Sequence, residues 1–153
     1  MVLNRIYITL LFCLSIAVTH AQFGFEFAPD VPVLQGGQPM AFPWAGGLNN
    51  AQISDFDFDF DGDLDLFIFD RSRDNIRVLI QENGMNGPYY RYQHGTRAFF
   101  PEDVRYRAQL VDYDADGRKD LFTYGIGGLK VYRNVGDAMN GLQWELITDL
   151  LYS

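Results

Sequence analysis

Asp57-Phe58-Asp59-Phe60-Asp61-Gly62-Asp63-Leu64-Asp65 recurs 55 residues further on as Asp112-Tyr113-Asp114-Ala115-Asp116-Gly117-Arg118-Lys119-Asp120, and each copy runs on into Leu-Phe. The pattern puts carboxylates at the first, third, fifth and ninth places and glycine at the sixth. Alternate residues of an extended segment point the same way, so three Asp side chains converge. Glycine at the sixth place allows the sharp bend that returns the fourth carboxylate to them. Four carboxylates gathered so closely repel one another strongly unless a cation lies among them. An all-oxygen donor set of this kind suits calcium, so two calcium sites are expected, on Asp57, Asp59, Asp61 and Asp65 and on Asp112, Asp114, Asp116 and Asp120.

The helical calcium hand also opens Asp-x-Asp-x-Asp-Gly, but it needs a bidentate Glu at the twelfth place. Ile68 and Thr123 stand there instead. The flanks Ala51-Gln52-Ile53-Ser54 and Leu66-Phe67-Ile68-Phe69 are β-branched and aromatic and show no helical stripe, so the loops join strands.

The likeness of the two copies extends beyond the loops. Leu66–Phe69 leads through the polar turn Asp70–Asn75 to Ile76–Ile80, and Leu121–Tyr124 leads through Gly125-Ile126-Gly127-Gly128 to Leu129–Tyr132. Connections sharing Met-Asn-Gly follow, at Gly84–Gly87 and Gly136–Gly141, and then the strands Tyr89–Tyr92 and Leu142–Ile147. Each unit therefore reads as four antiparallel strands with an acidic loop between the first two, the pattern of a β-propeller blade. The glycine pairs are ordinary turn chemistry.

These residues resemble the FG-GAP/VCBS repeats, the family whose calcium-bearing blades also build the head of integrin α chains. The resemblance covers roughly residues 49 to 152. It implies an all-β, propeller-type fold, with the eight Asp residues above as side-chain ligands. The backbone carbonyls of Asp63 and Arg118 would be the fifth contact at each site. It also implies a secreted bacterial protein, in a chain divided as 1–21 signal peptide, 22–48 extended segment, 49–103 repeat 1 and 104–153 repeat 2.

The leader is legible from its own residues. Asn4-Arg5 gives a positive start, Ile6–Val18 is apolar, and Thr19-His20-Ala21 offers small residues before a cut after Ala21. The apolar run is too short to span a membrane, and bulky Phe12 ahead of Cys13 argues against a lipid anchor. Cys13 is the sole cysteine, so the exported chain can form no disulfide and metal becomes the expected staple. Cleavage would leave 11 basic and 20 acidic side chains, a balance of about −9 that disfavours nucleic acid and anionic membranes as partners.

Residues 22–50 differ in composition, with four prolines and five glycines. Phe23–Phe27 is expected as a strand, Gly36–Asn50 as a loop, and Phe42 and Trp44 as buried anchors. Propellers close with about four to eight blades, so two repeats suggest a piece of a larger ring completed by further blades of the full-length chain; the alternative is a small two-unit protein that closes by association. The aromatic strands Phe67–Phe69 and Tyr89–Tyr92 are then expected to lack cover.

No catalytic constellation emerges. His94 is the one histidine beyond the leader, no Gly-x-Ser-x-Gly elbow is present, and Ser54 and Ser72 sit on no motif. Glu82, Glu102, Asp103 and Glu145 are scattered without the spacing of an acid and base pair. Arg91, Arg97, Arg105 and Arg107 read as a solvated face. The expectation is a secreted, non-enzymatic scaffold that binds a protein or glycan at the cell surface. The alternative is the non-catalytic propeller part of a larger secreted enzyme acting on polysaccharide. The coding sequence beyond Ser153 would distinguish the two.

Overall fold

The computed structural model describes residue 28 and residues 31–151, and nearly all of these belong to the compact unit Pro32–Ser153. The leader and the Phe23–Phe27 strand lie outside the described residues. The architecture is all-β. A small hairpin pairs β1 (Leu34–Gln35) with β2 (Gln38–Pro39), and two four-stranded antiparallel sheets follow.

The first sheet is the meander β3 (Ala51–Phe56), β4 (Asp65–Asp70), β5 (Asn75–Gly84) and β6 (Gly87–Gln93). The second repeats that order with β7 (Ala108–Val111), β8 (Asp120–Gly125), β9 (Gly128–Asn134) and β10 (Trp144–Leu151). A short 3-10 turn, Thr96–Phe99, stands between them. No helix among the described residues is long and apolar enough to cross a membrane.

Alternation along each strand builds the core. Phe67 and Phe69 of β4 face the same way as their cross-strand partners Val78 and Ile76 of β5, and all four are buried. Ala108, Leu110, Leu121 and Tyr132 approach from the second sheet, with Phe100 and Val104 of the connection closing the cluster. Phe67 and Phe100 pack with centroids 5.2 Å apart, and the Phe100 ring lies 5.6 Å from Trp144. Burying each such ring contributes roughly 1.5–3 kcal/mol. The expectation that Phe67–Phe69 lack cover is therefore corrected, because the second sheet lies on them. Tyr89 and Tyr90 of β6 do remain exposed.

The sheets meet along their first strands. Among the described residues β7 pairs only with β8, so its other edge would offer bare amides. Instead Ala108 N–H donates to Gln52 Oε1 at 3.1 Å, and Leu110 N–H donates to Ser54 Oγ at 3.2 Å. The two β3 side chains thus complete an edge that no strand covers.

Two further corrections concern residues 34–50. A hairpin with Gly36 and Gly37 at φ 61° and 80° occupies part of what reads as a loop. Two consecutive positive-φ residues are what a two-residue hairpin turn needs, and glycine takes them without strain. Phe42 and Trp44 are not buried anchors, at 39% and 41% exposed, because the surrounding glycines and prolines supply no apolar cover.

Candidate metal centres

Both acidic loops fold alike, down to the backbone. The fourth residue, Phe60 or Ala115, takes a left-handed φ of 63° or 60°, and the glycine takes 93° or 90°. Side chains tie each bend. Asp57 accepts the N–H of Asp61 at 3.1 Å and of Gly62 at 3.0 Å, while Asp112 accepts that of Gly117 at 3.1 Å. Asp61 and Asp116 each accept the N–H two residues on, at 2.8 Å in both loops. A left-handed non-glycine residue costs of order 1 kcal/mol, so its recurrence at the same place points to a shape held for a purpose.

Within these bends Asp57, Asp59 and Asp61 bring one carboxylate oxygen each to within 4.8 Å of one another, and Asp112, Asp114 and Asp116 do the same. Three of the four side chains expected at each site are thus gathered. The donors are hard oxygens on exposed or half-buried residues, the chemistry calcium takes. Asp112 Oδ1 is buried and accepts no hydrogen bond, whereas the matching Asp57 Oδ1 accepts the Asp61 N–H.

The ninth residue is placed differently. Asp65 is fully buried at the start of β4, where its oxygens accept N–H bonds from Phe58 and Gln81, both at 2.7 Å. Asp120 accepts the equivalent bonds from Tyr113 at 2.9 Å and Asn134 at 2.8 Å. Each carboxylate thereby staples the loop to its sheet's third strand, whether or not it also contacts a cation. Residue patterning did not single out Gln81 and Asn134, because a backbone amide leaves no mark on the sequence.

The seventh residues differ. The Asp63 carboxylate accepts from Asn83 Nδ2 at 2.7 Å, whereas the Arg118 guanidinium lies on Asp116. In the second loop Arg133 Nε also stands 2.8 Å from Asp114 Oδ2. The first loop has no such cation at the equivalent place. Register aligns Leu66 with Leu79 and Leu121 with Tyr132, so Ile80 occupies the position of Arg133.

The electrostatics follow this difference. Burial pushes the Asp59 carboxyl above its ordinary range, and the charges of Asp61 and Asp57 push it further. Asp65 is also raised, chiefly by burial, against the N–H bonds from Gln81 and Phe58. In the second loop Asp116 is lowered, first by the Arg118 N–H and then by its guanidinium and that of Arg133. A cation among the first-loop carboxylates would reverse the upward push.

Three of the other polar residues are engaged elsewhere. Glu82 accepts from the Tyr89 hydroxyl and from Arg91. Asp103 accepts from Lys130 and Tyr132, both at 2.6 Å. Arg97 donates to the carbonyls of Phe100, Pro101 and Glu102, so it braces a turn and is no part of a basic face. His94 directly follows β6, its ring edge-on to Tyr92 at 4.6 Å. No protein-family model, curated protein or solved structure matches the chain.

Proposed function

We propose that this chain is a calcium-binding β-propeller segment of the FG-GAP/VCBS kind, exported by its N-terminal leader. It serves as a scaffold for binding a protein or glycan at the cell surface. The observation that carries the reading is the pair of loops, alike in backbone, each bringing three carboxylates together. Two successive four-stranded meanders whose first strands lie side by side support the blade reading.

In the first site Asp57, Asp59 and Asp61 would hold the ion, and in the second Asp112, Asp114 and Asp116. The carbonyls of Asp63 and Arg118 would complete the shells. Calcium adds binding free energy to folding because the sites form only when the strands pair.

Calorimetric titration tests this. About two calcium ions per chain are expected, with micromolar to millimolar affinity as in extracellular modules. Asp59→Ala should remove one ion and Asp114→Ala the other. A chain that is folded by circular dichroism yet takes up no calcium overturns the reading.

A further inference from the structure

On the face of the first sheet away from the core lies a buried guanidinium, two of whose nitrogens donate no hydrogen bond. Arg77 sits between Ile76 and Val78, both of which point into the core, so its own side chain takes the opposite face beside its cross-strand neighbour Ile68. It is only 8% exposed, and its Nε and Nη1 are buried with no acceptor. Burying a guanidinium with unmet N–H groups is costly, and such groups in native proteins normally have a partner.

The surroundings form a cleft of about 430 Å3 lined by residues of the Gly46–Asn49 segment and by Asp70, Ser72, Arg73, Asn75 and Arg77. Its walls are tied together. Asp70 accepts the N–H of Asn49 and of Ser72, each at 3.0 Å, and the Ser72 hydroxyl donates to the Asn49 carbonyl at 2.6 Å. Each Asp70 oxygen is thereby met by a backbone N–H. Asp70 is also the counter-charge beside Arg77, but Arg77 Nε and Nη1 donate no hydrogen bond to it. Gly46, at φ 72°, brings its backbone so near that a β-carbon there would stand 3.5 Å from Arg77 Nη2.

We propose that this cleft binds a ligand presenting a single carboxylate, held by the Arg77 fork with Arg73 at the rim. A planar guanidinium matches a carboxylate in bidentate geometry. The charge count selects the class: two arginines against Asp70 leave one net positive charge, which one carboxylate neutralises and a phosphate dianion exceeds. Ser72, Asn49 and Asn75 add hydroxyl and amide groups suited to a hydroxyl-bearing acid. The proposal stands apart from the calcium reading, because none of its residues belongs to either acidic loop.

The test is NMR titration of the calcium-saturated chain with acetate, D-glucuronate, N-acetylglutamate, D-glucose and phosphate, following the Arg77 side-chain Nε–H signal. Acetate should bind with a dissociation constant of about 1 mM, the weak range expected of so small a ligand. Tighter glucuronate would mark a sugar acid as the source, and tighter N-acetylglutamate an acidic side chain. Arg77→Met should weaken binding about tenfold or more. Arg77→Lys, which keeps the charge and loses the fork, should also weaken it with the circular dichroism spectrum unchanged. The proposal is overturned if no carboxylate moves the signal, if glucose binds as well as glucuronate, if phosphate binds more tightly than acetate, or if Arg77→Lys folds and binds as the parent does.

Discussion

The ring of Phe60, at the fourth place of the first acidic loop, lies against Gly136 in the connection between β9 and β10 of the other sheet. A β-carbon on residue 136 would collide first with the Gly141 carbonyl oxygen of the same connection, and would stand 2.8 Å from Phe60 Cζ and 2.9 Å from the Gln143 nitrogen. A candidate metal loop of one sheet is thus braced on the second. Gly136→Ala should destabilise the chain by about 1–3 kcal/mol through overpacking. It should also weaken calcium at the first loop more than at the second. Urea denaturation with and without calcium reads both effects, and an unchanged midpoint would show that the contact gives way freely.

The loops should differ in affinity. Calcium entering the second loop must displace Arg133 from Asp114 and Arg118 from Asp116, whereas the first loop has no basic residue at either place. The first site should therefore bind more tightly. Arg133→Ile, which copies Ile80, should tighten the second site about three- to tenfold, a modest gain because the ion pair is partly exposed. Calorimetry resolving two affinities checks this, and equal sites in the parent chain would contradict it.

The side-chain bridges between sheets should matter more than their exposure suggests. Removing Gln52 or Ser54 leaves the buried amide of Ala108 or Leu110 without an acceptor. Gln52→Ala and Ser54→Ala should each cost about 1–3 kcal/mol, the penalty for an unmet buried donor. The corresponding amides should also lose protection from hydrogen exchange. Protection that stays at the parent level in both variants would mean that neither bridge holds the edge.

Acid sensitivity should appear outside the metal loops as well. Burial raises the Asp103 carboxyl, but the hydrogen bonds from Lys130 and Tyr132 outweigh it and hold the group below its ordinary 3.8. A carboxylate depressed by folding contributes stability that is complete above the unfolded value and is lost as pH falls through the folded one. Asp103→Asn should cost about 1 kcal/mol at neutral pH, discounted for partial exposure. Its stability should also fall less steeply than the parent's below pH ~4. Chelator-treated samples isolate this effect, and parallel pH profiles for parent and variant would refute it.

Calcium at about a hundred times its dissociation constant should add roughly 2.7 kcal/mol per site to stability. Thermal melts with calcium and with chelator measure it. Coincident melting curves would argue that the ions, if bound, do not hold the fold.

Much of the strand order was legible in the residues because both repeats obey local rules. β-Branched and aromatic runs mark strands, and Gly127 or the Asn-Gly pairs mark turns, through backbone preferences that act within a few residues. The boundaries were less so. β5 runs on to Gly84 and β10 to Leu151, since strand length depends on a partner strand to pair with. The Gly36-Gly37 hairpin carried its own local signal, whereas the exposure of Phe42 and Trp44 depended on what packs over them.

The acidic loops divide in the same way. Their spacing put Asp57, Asp59 and Asp61 into one short loop, as it did Asp112, Asp114 and Asp116. The carboxylates converge through bends in that loop, with Phe60 or Ala115 left-handed beside the glycine, and not through the strand alternation the spacing suggests. Only the tertiary structure decided that Asp65 and Asp120 bind the amides of Gln81 and Asn134. Only it set Arg133 on Asp114, or buried Arg77 with its Nε and Nη1 unbonded. Each of these joins residues far apart in the chain, and such contacts are fixed by strand register and sheet packing, which no local pattern of residues encodes.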